Sequence, residues 1–173
     1  RDRIAALARV QRLLSRLVDD DRVTFDELIR GELEAAGALQ GEGDRVTLDG
    51  PKDVALRSSS VQTFAMALHE LTTNAIKYGA LKQPDARLDV RWRVELRNGR
   101  EPWLHVDWRE SGVTMPEPGA APQGTGQGRR LIEEALPYQL KAETTYVMAP
   151  DGVRCSIALP ASARTVSEMT YAD

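Results

Sequence analysis

Residues 67 to 81 read ALHELTTNAIKYGAL, and the order of side chains along that stretch decides the fold. Phe64, Leu68, Leu71 and Ala75 repeat at steps of three and four, the spacing of one apolar stripe on a helix. Glu70, Asn74 and Lys77 repeat at the same steps. At about 100° per residue those three fall within roughly 60° of one another, on the opposite stripe. A carboxylate, a carboxamide and an ammonium stacked on one face make either a solvated surface or a site for a metal ion and an anion. A hard divalent cation takes oxygen ligands, of which magnesium draws only one or two from protein.

Outward from this helix, Ser59 and Gln62 predict a capping box at its start and Gly79 its end. Upstream, residues 1 to 18 place Ile4, Leu7, Val10, Leu14 and Leu17 at helical spacing, and TFDE at 24 to 27 is a capping box that opens a second helix. RVTLDGPKDVALRS predicts two short strands around a turn at Asp49 and Gly50. Downstream, RLDVRWRVELR at 87 to 97 alternates, with Leu88, Val90, Trp92, Val94 and Leu96 on one face and charged residues on the other. That is a half-exposed strand of an antiparallel sheet. Asn98 and Gly99 predict a two-residue hairpin turn, with Leu104, Val106 and Trp108 on the return strand. Residues 110 to 128 then hold five glycines and three prolines and predict a long loop of the lid or binding type. RRLIEEAL resumes as a helix, two strands meet at Asp151-Gly152, and the tail beyond Pro160 reads as frayed.

The 173 residues suit one domain with a short appendage. Hydrophobic residues make up 42%, charged residues 28%, and the net charge is -3 with no basic block. This balance gives no reason to expect nucleic acid or a membrane surface as partner. A single Cys155 and two histidines exclude a disulfide framework and a cysteine-rich zinc site. The thiol count fits a reducing, cytoplasmic setting, and no apolar run reaches the length of a membrane span.

Two further stretches carry chemistry. In GTGQGRRLI, Gly124, Gly126 and Gly128 run into a helix, where glycine lets backbone approach an anion and free amides bind phosphate. It is not a dinucleotide fingerprint, because no strand leads directly into it, and it lacks the lysine of a P-loop. In WRESG, Glu110 ends a strand as an acceptor and Gly112 lets the chain turn away. Taken alone, the first is a weak signal that a flexible linker would also give, and the second reads more readily as a core Trp108 beside a surface charge.

Together and in this order, HELTTNAIKYGAL, WRESG and GTGQGRRLI resemble the asparagine box and the two glycine boxes of histidine kinase ATP-binding domains. The version is the HWE family, named for a His in the asparagine box and a Trp-x-Glu in the first glycine box, here His69, Trp108 and Glu110. The resemblance runs from about residue 45 to 160. It implies a two-layer α/β sandwich of the Bergerat (GHKL) type, a mixed, mostly antiparallel sheet with helices on one face, binding ATP and Mg2+. Carried over by position, Asn74 ligates magnesium, and Glu70 is the catalytic carboxylate, reaching the metal through water. Lys77 and Tyr78 face phosphates or ribose, and Glu110, with Gly112, meets adenine. Gly124, Thr125, Gly126, Gly128 and Arg130 cradle phosphate, while His69 is either a ligand contact or a helix-packing residue.

The resemblance also implies a domain division: 1–20 as the end of a dimerisation and phosphotransfer hairpin, 21–160 as the catalytic domain, 161–173 as a tail. Neither His69 nor His105 suits a phosphoacceptor, which places the acceptor helix upstream of residue 1. The γ-phosphoryl group then passes to a response-regulator aspartate. Two alternatives stay open here, a non-catalytic phosphotransfer or scaffold protein that retains the fold, and a protein-serine kinase of the same superfamily.

Overall fold

The computed structural model describes residues 2–18, 22–41, 44–117, 119 and 126–165. In chain order the elements are α1 (Asp2–Val18), α2 (Phe25–Ala35), β1 (Val46–Asp49), α3 (Ser58–Tyr78), β2 (Arg87–Arg97) and β3 (Glu101–Ser111). A helical stretch follows, α4 (Gln127–Arg130), a π-helical turn (Leu131–Ala135) and α5 (Leu136–Leu140), then β4 (Glu143–Ala149) and β5 (Gly152–Pro160). The strands form one sheet in the order β1-β2-β3-β5-β4, with β1 parallel to β2 and every other pair antiparallel.

Alternation along the strands separates two faces. Leu88, Val90, Trp92, Leu104, Val106, Trp108, Ile157 and Leu159 join one buried cluster with Leu28, Ile29 and Leu33 of α2 and Val61, Phe64, Leu68 and Leu71 of α3. Phe25 anchors the junction, stacked on Phe64 at 5.6 Å and edge-on to Trp92 at 4.9 Å between ring centroids. The other face carries Arg91, Arg93, Glu95, Asp107, Arg109 and Arg154, all exposed. Leu96 leaves the core at the hairpin end, where it is 45% exposed.

The predicted helix starts and ends are partly met. Thr24 Oγ1 accepts the Glu27 N–H at 3.2 Å and caps α2, and α3 ends at Gly79 as its spacing requires. No side chain caps the start of α3, so Ser59 and Gln62 form no capping box: the N-cap is Arg57, whose guanidinium donates instead to the Ala161 carbonyl at 3.0 Å.

Three local expectations are corrected. The strand predicted after Gly50 does not pair as a hairpin. Trp92 sits against Gly50, where an added Cβ would overlap the indole, and Trp92 Nε1–H donates to the Pro51 carbonyl at 2.7 Å. The chain is thereby turned over the sheet, and Ala55 and Leu56 form only isolated bridges to Thr24 and Ala161. The β2–β3 turn spans residues 98 to 100 between the paired Arg97 and Glu101, with Asn98 and Gly99 both left-handed. The helix after the loop widens to a π turn. Pro137 there lacks the N–H that would close an α-helical bond to the carbonyl four residues back.

Ordered packing also continues past Pro160: Ala161 and Thr165 are buried, and Ala55 N–H donates to Thr165 Oγ1 at 3.1 Å. α1 buries Ala6 and Val10 and packs along α3.

Candidate nucleotide site

The polar stripe of α3 faces the start of α4. Glu70 and Asn74 are half-buried and Lys77 is exposed, while Phe64, Leu68, Leu71 and Ala75 are fully buried behind them. Gly128 lies directly over the first two. A Cβ added to it would stand 3.1 Å from Glu70 Cβ and 3.3 Å from Asn74 Nδ2, so only glycine lets the backbone come this near without displacing them. Gly126, the N-cap of α4, adopts a left-handed conformation at φ 76°. Chain segments about sixty residues apart in sequence thus meet, one supplying a carboxylate and a carboxamide and the other backbone. An amide and a carboxylate are hard oxygen donors suited to magnesium, and the cradle left by the missing Cβ of Gly128 admits no side chain of its own. The residues present therefore fit a magnesium-bound phosphate group held at Asn74 and Glu70.

Glu110 lies at the other end of α3 and is 2% exposed. Its Oε1 accepts the Ala80 N–H at 2.9 Å, just past the helix terminus, and its Oε2 accepts Trp108 Nε1–H at 3.0 Å. Trp108 and Glu110 are two residues apart on β3, so their side chains share a face and can bond to each other. Gly79 and Gly152 press on Glu110, one on its carboxylate and the other on its backbone carbonyl. The expectation of a surface charge is replaced by a buried acid. Burial raises its pKa above the usual carboxylate range, and the hydrogen bonds from Ala80 and Trp108 offset this only in part.

This gives a pH prediction. Between the ordinary value of 4.5 and the raised folded value, the folded chain keeps a proton on Glu110 that the unfolded chain has lost. Stability contributed by this site therefore falls as pH rises through that window. Glu110→Gln should cost about 1–3 kcal/mol, because its NH2 must face one of two N–H donors. The stability gap between wild type and variant should then narrow as pH rises. Denaturant titrations of both across pH 4 to 8, the span about the reference carboxylate and histidine values, check this. A constant gap would mean that the ionisation of Glu110 is not coupled to folding.

Gly112 sits at φ +70°, and an added Cβ would meet the Asp85 carbonyl at 3.0 Å, so the chain can leave β3 there only with glycine. Gln83 and Thr114 then exchange two hydrogen bonds, at 2.7 and 3.3 Å, that fix the first residues of the loop. Gly124 and Thr125 lie outside the described residues, as do 118 and 120–123.

His69 turns to α2 rather than to this gap. His69 is buried, and its Nδ1–H donates to Glu32 Oε1 of α2 at 2.9 Å. Of its two readings, helix packing is the one these contacts carry. The other Glu32 oxygen accepts from Arg9 of α1 at 2.7 Å. Burial raises the pKa of Glu32, but the hydrogen bonds and charges of His69 and Arg9 together outweigh it and hold the carboxyl below its usual range. Arg130 pairs with Glu134 one turn along its own helix at 3.4 Å. Tyr78 is half-buried at the end of α3, beside Lys77. Cys155 is a core residue, its thiol pushed up to about 12, chiefly by burial.

Sequence reasoning missed Arg3 and Gln127. Arg3 Nη2 lies 3.3 Å from Glu70 Oε1 and 2.6 Å from Gln127 Oε1, joining α1 to both sides of the gap. No local signal marks them, since their partners are 67 and 124 residues away in sequence.

No protein-family model matches the chain. It is 31% identical over 160 residues to the blue-light-activated histidine kinase 1 of Erythrobacter litoralis, covering 92% of this chain and 42% of that protein. It is 34% identical over 121 residues to a blue-light-activated histidine kinase of Brucella anthropi, covering 70% of this chain and 24% of that protein. The chain thus spans less than half the length of these relatives. Its fold matches the solved histidine kinase domain of an Erythrobacter litoralis blue-light activated histidine kinase, with a TM-score of 0.56 and 17% identity over 81% of this chain and 67% of that one. With the asparagine box on α3 set against the second glycine box at Gly128, and Trp108 bonded to Glu110 in the first, the chain belongs to the histidine kinase catalytic domains of the HWE type.

Proposed function

We propose that this chain binds Mg-ATP between α3 and α4 and transfers the γ-phosphoryl group to a histidine carried on a helix outside it. The observation that carries this reading is the approach of Gly128 to Glu70 and Asn74, with backbone, a carboxamide and a carboxylate around one gap. Asn74 offers its side-chain oxygen to magnesium, which when bound neutralises charge on the transferring phosphoryl group. Glu70 accepts a hydrogen bond from the attacking imidazole and takes up its proton as the new N–P bond forms and the bond to the leaving β-phosphate oxygen breaks. Gly126 and Gly128 supply backbone close to phosphate oxygens, and Lys77 adds a cation at the end of the stripe. Glu110, held by Ala80 and Trp108, retains lone pairs for the adenine amino group. Gly112, Gly124, Thr125, Tyr78 and Arg130 keep the roles that the family resemblance implies.

The partners follow from the same reading. They are a phosphoacceptor helix preceding residue 1, to which α1 is the companion, and a response-regulator aspartate. A cytoplasmic setting suits ATP as the donor, and among the described residues no helix is long and apolar enough to cross a membrane.

The test is calorimetric titration of the chain with a non-hydrolysable ATP analogue, with and without magnesium. Binding that weakens when magnesium is withdrawn is expected. Absence of binding would favour a scaffold that retains the fold and would sink the kinase reading. A companion assay with γ-labelled ATP should leave this chain itself unlabelled, because His69 is buried against Glu32 and His105 lies on a strand beside Glu95. Acid-labile label on this chain alone would make one of these two histidines an acceptor.

A further inference from the structure

We propose that Arg3 is a positioning residue for Glu70, holding the carboxylate out of reaction while α1 is docked. The inference rests on the kinase reading above.

α1 is tied down by Ala6 and Val10, both buried, and by Arg9, whose guanidinium meets Glu32 at 2.7 Å. With the helix axis fixed in this way, its first turn ends beside the gap between α3 and α4. A single guanidinium nitrogen of Arg3 then contacts Glu70 on one side and Gln127 on the other, at 3.3 and 2.6 Å. Those are the two elements that must receive phosphate and nucleophile. To orient an imidazole, Glu70 must offer an oxygen, and Oε1 is engaged by Arg3. To admit a phosphoryl group beneath Gly128, the start of α4 must be free to adjust, and Gln127 is tied to the same arginine.

The contact is an exchangeable one. The Arg3 side chain is 61% exposed, and solvent screens the pair. It is strong enough to bias Glu70 and weak enough to yield when α1 moves. The same helix touches the preceding residue of α3 through Arg9, Glu32 and His69, so two arginines of α1 report its position to residues 69 and 70. A displacement of α1 by anything upstream is thereby read at the catalytic carboxylate without any change at Glu110.

The experiment uses the complete kinase that contains this chain and measures transfer rate at saturating Mg-ATP together with affinity for a non-hydrolysable analogue. Arg3→Ala is expected to transfer about two- to fivefold faster than the unaltered protein, the scale of an exposed ion pair, with analogue affinity unchanged. Arg3→Glu should be at least as fast, since it repels Glu70. Arg3→Lys keeps the cation and should stay near the unaltered rate. A role confined to stability would change no turnover per folded molecule. An Arg3→Ala rate equal to or below the unaltered one, with analogue still bound, overturns this inference alone. Failure of the unaltered protein to bind analogue overturns the kinase reading and this inference with it.

Discussion

Asn74→Ala is expected to slow phosphoryl transfer by about 100- to 1000-fold, the loss typical of removing one preorganised group that stabilises the transition state. The size of the effect follows from scarcity. Magnesium takes few ligands from protein, and on the polar stripe of α3 Asn74 is the carboxamide that lies beside Gly128. The fold should be indifferent to the change. Asn74 is half-exposed, lies away from the buried Ala75 stripe, and makes no side-chain hydrogen bond among the described residues. Single-turnover transfer in the complete kinase and a thermal melt of the same variant separate the two effects. A protein that melts early yet keeps its activity per folded molecule would assign Asn74 to structure.

Trp108→Ala should be the most destabilising single change in the site, by about 3–5 kcal/mol. The indole is 1% exposed in the middle of the sheet's inner face, so its removal leaves a cavity that the flanking strands β2 and β5 cannot close. It also strips the buried Glu110 Oε2 of its donor. A loss of this size is comparable with the whole stability of a marginal domain, about 5–15 kcal/mol. Trp108→Phe fills most of the volume and removes only the hydrogen bond, so about 1–3 kcal/mol is expected. Urea unfolding at neutral pH measures both. If the Phe variant folds but binds the ATP analogue less tightly, the bond to Glu110 serves adenine recognition as well as packing. An Ala variant as stable as wild type would mean that the indole is not part of the core.

The regular elements were legible because their information is local. Alternation at 87 to 97 fixes which face of β2 is apolar, and the three-four spacing of Phe64, Leu68, Leu71 and Ala75 fixes the inward face of α3, whatever each packs against. The boundary at Gly79 could be read for the same reason. Of the predicted pairings, the hairpins β2–β3 and β4–β5 are present and the one around Gly50 is not. Residues 53 to 57 have the composition of a strand, but the neighbour β1 needs is β2, reached through α3 as a parallel crossover, and Trp92 over Gly50 turns the intervening chain aside.

Residue types and order alone placed Glu70, Asn74 and Lys77 on one stripe and singled out Gly126, Gly128, Trp108 and Glu110. Backbone geometry makes such spacing meaningful before any tertiary contact exists. The burial of Glu110, the turning of His69 toward Glu32 and the reach of Arg3 to Glu70 and Gln127 were decided only by the tertiary structure. Each depends on which surfaces of distant segments come within a few ångströms. A polar side chain is exposed, buried or paired according to what the packed core leaves beside it, and periodicity along one segment carries no information about that neighbour.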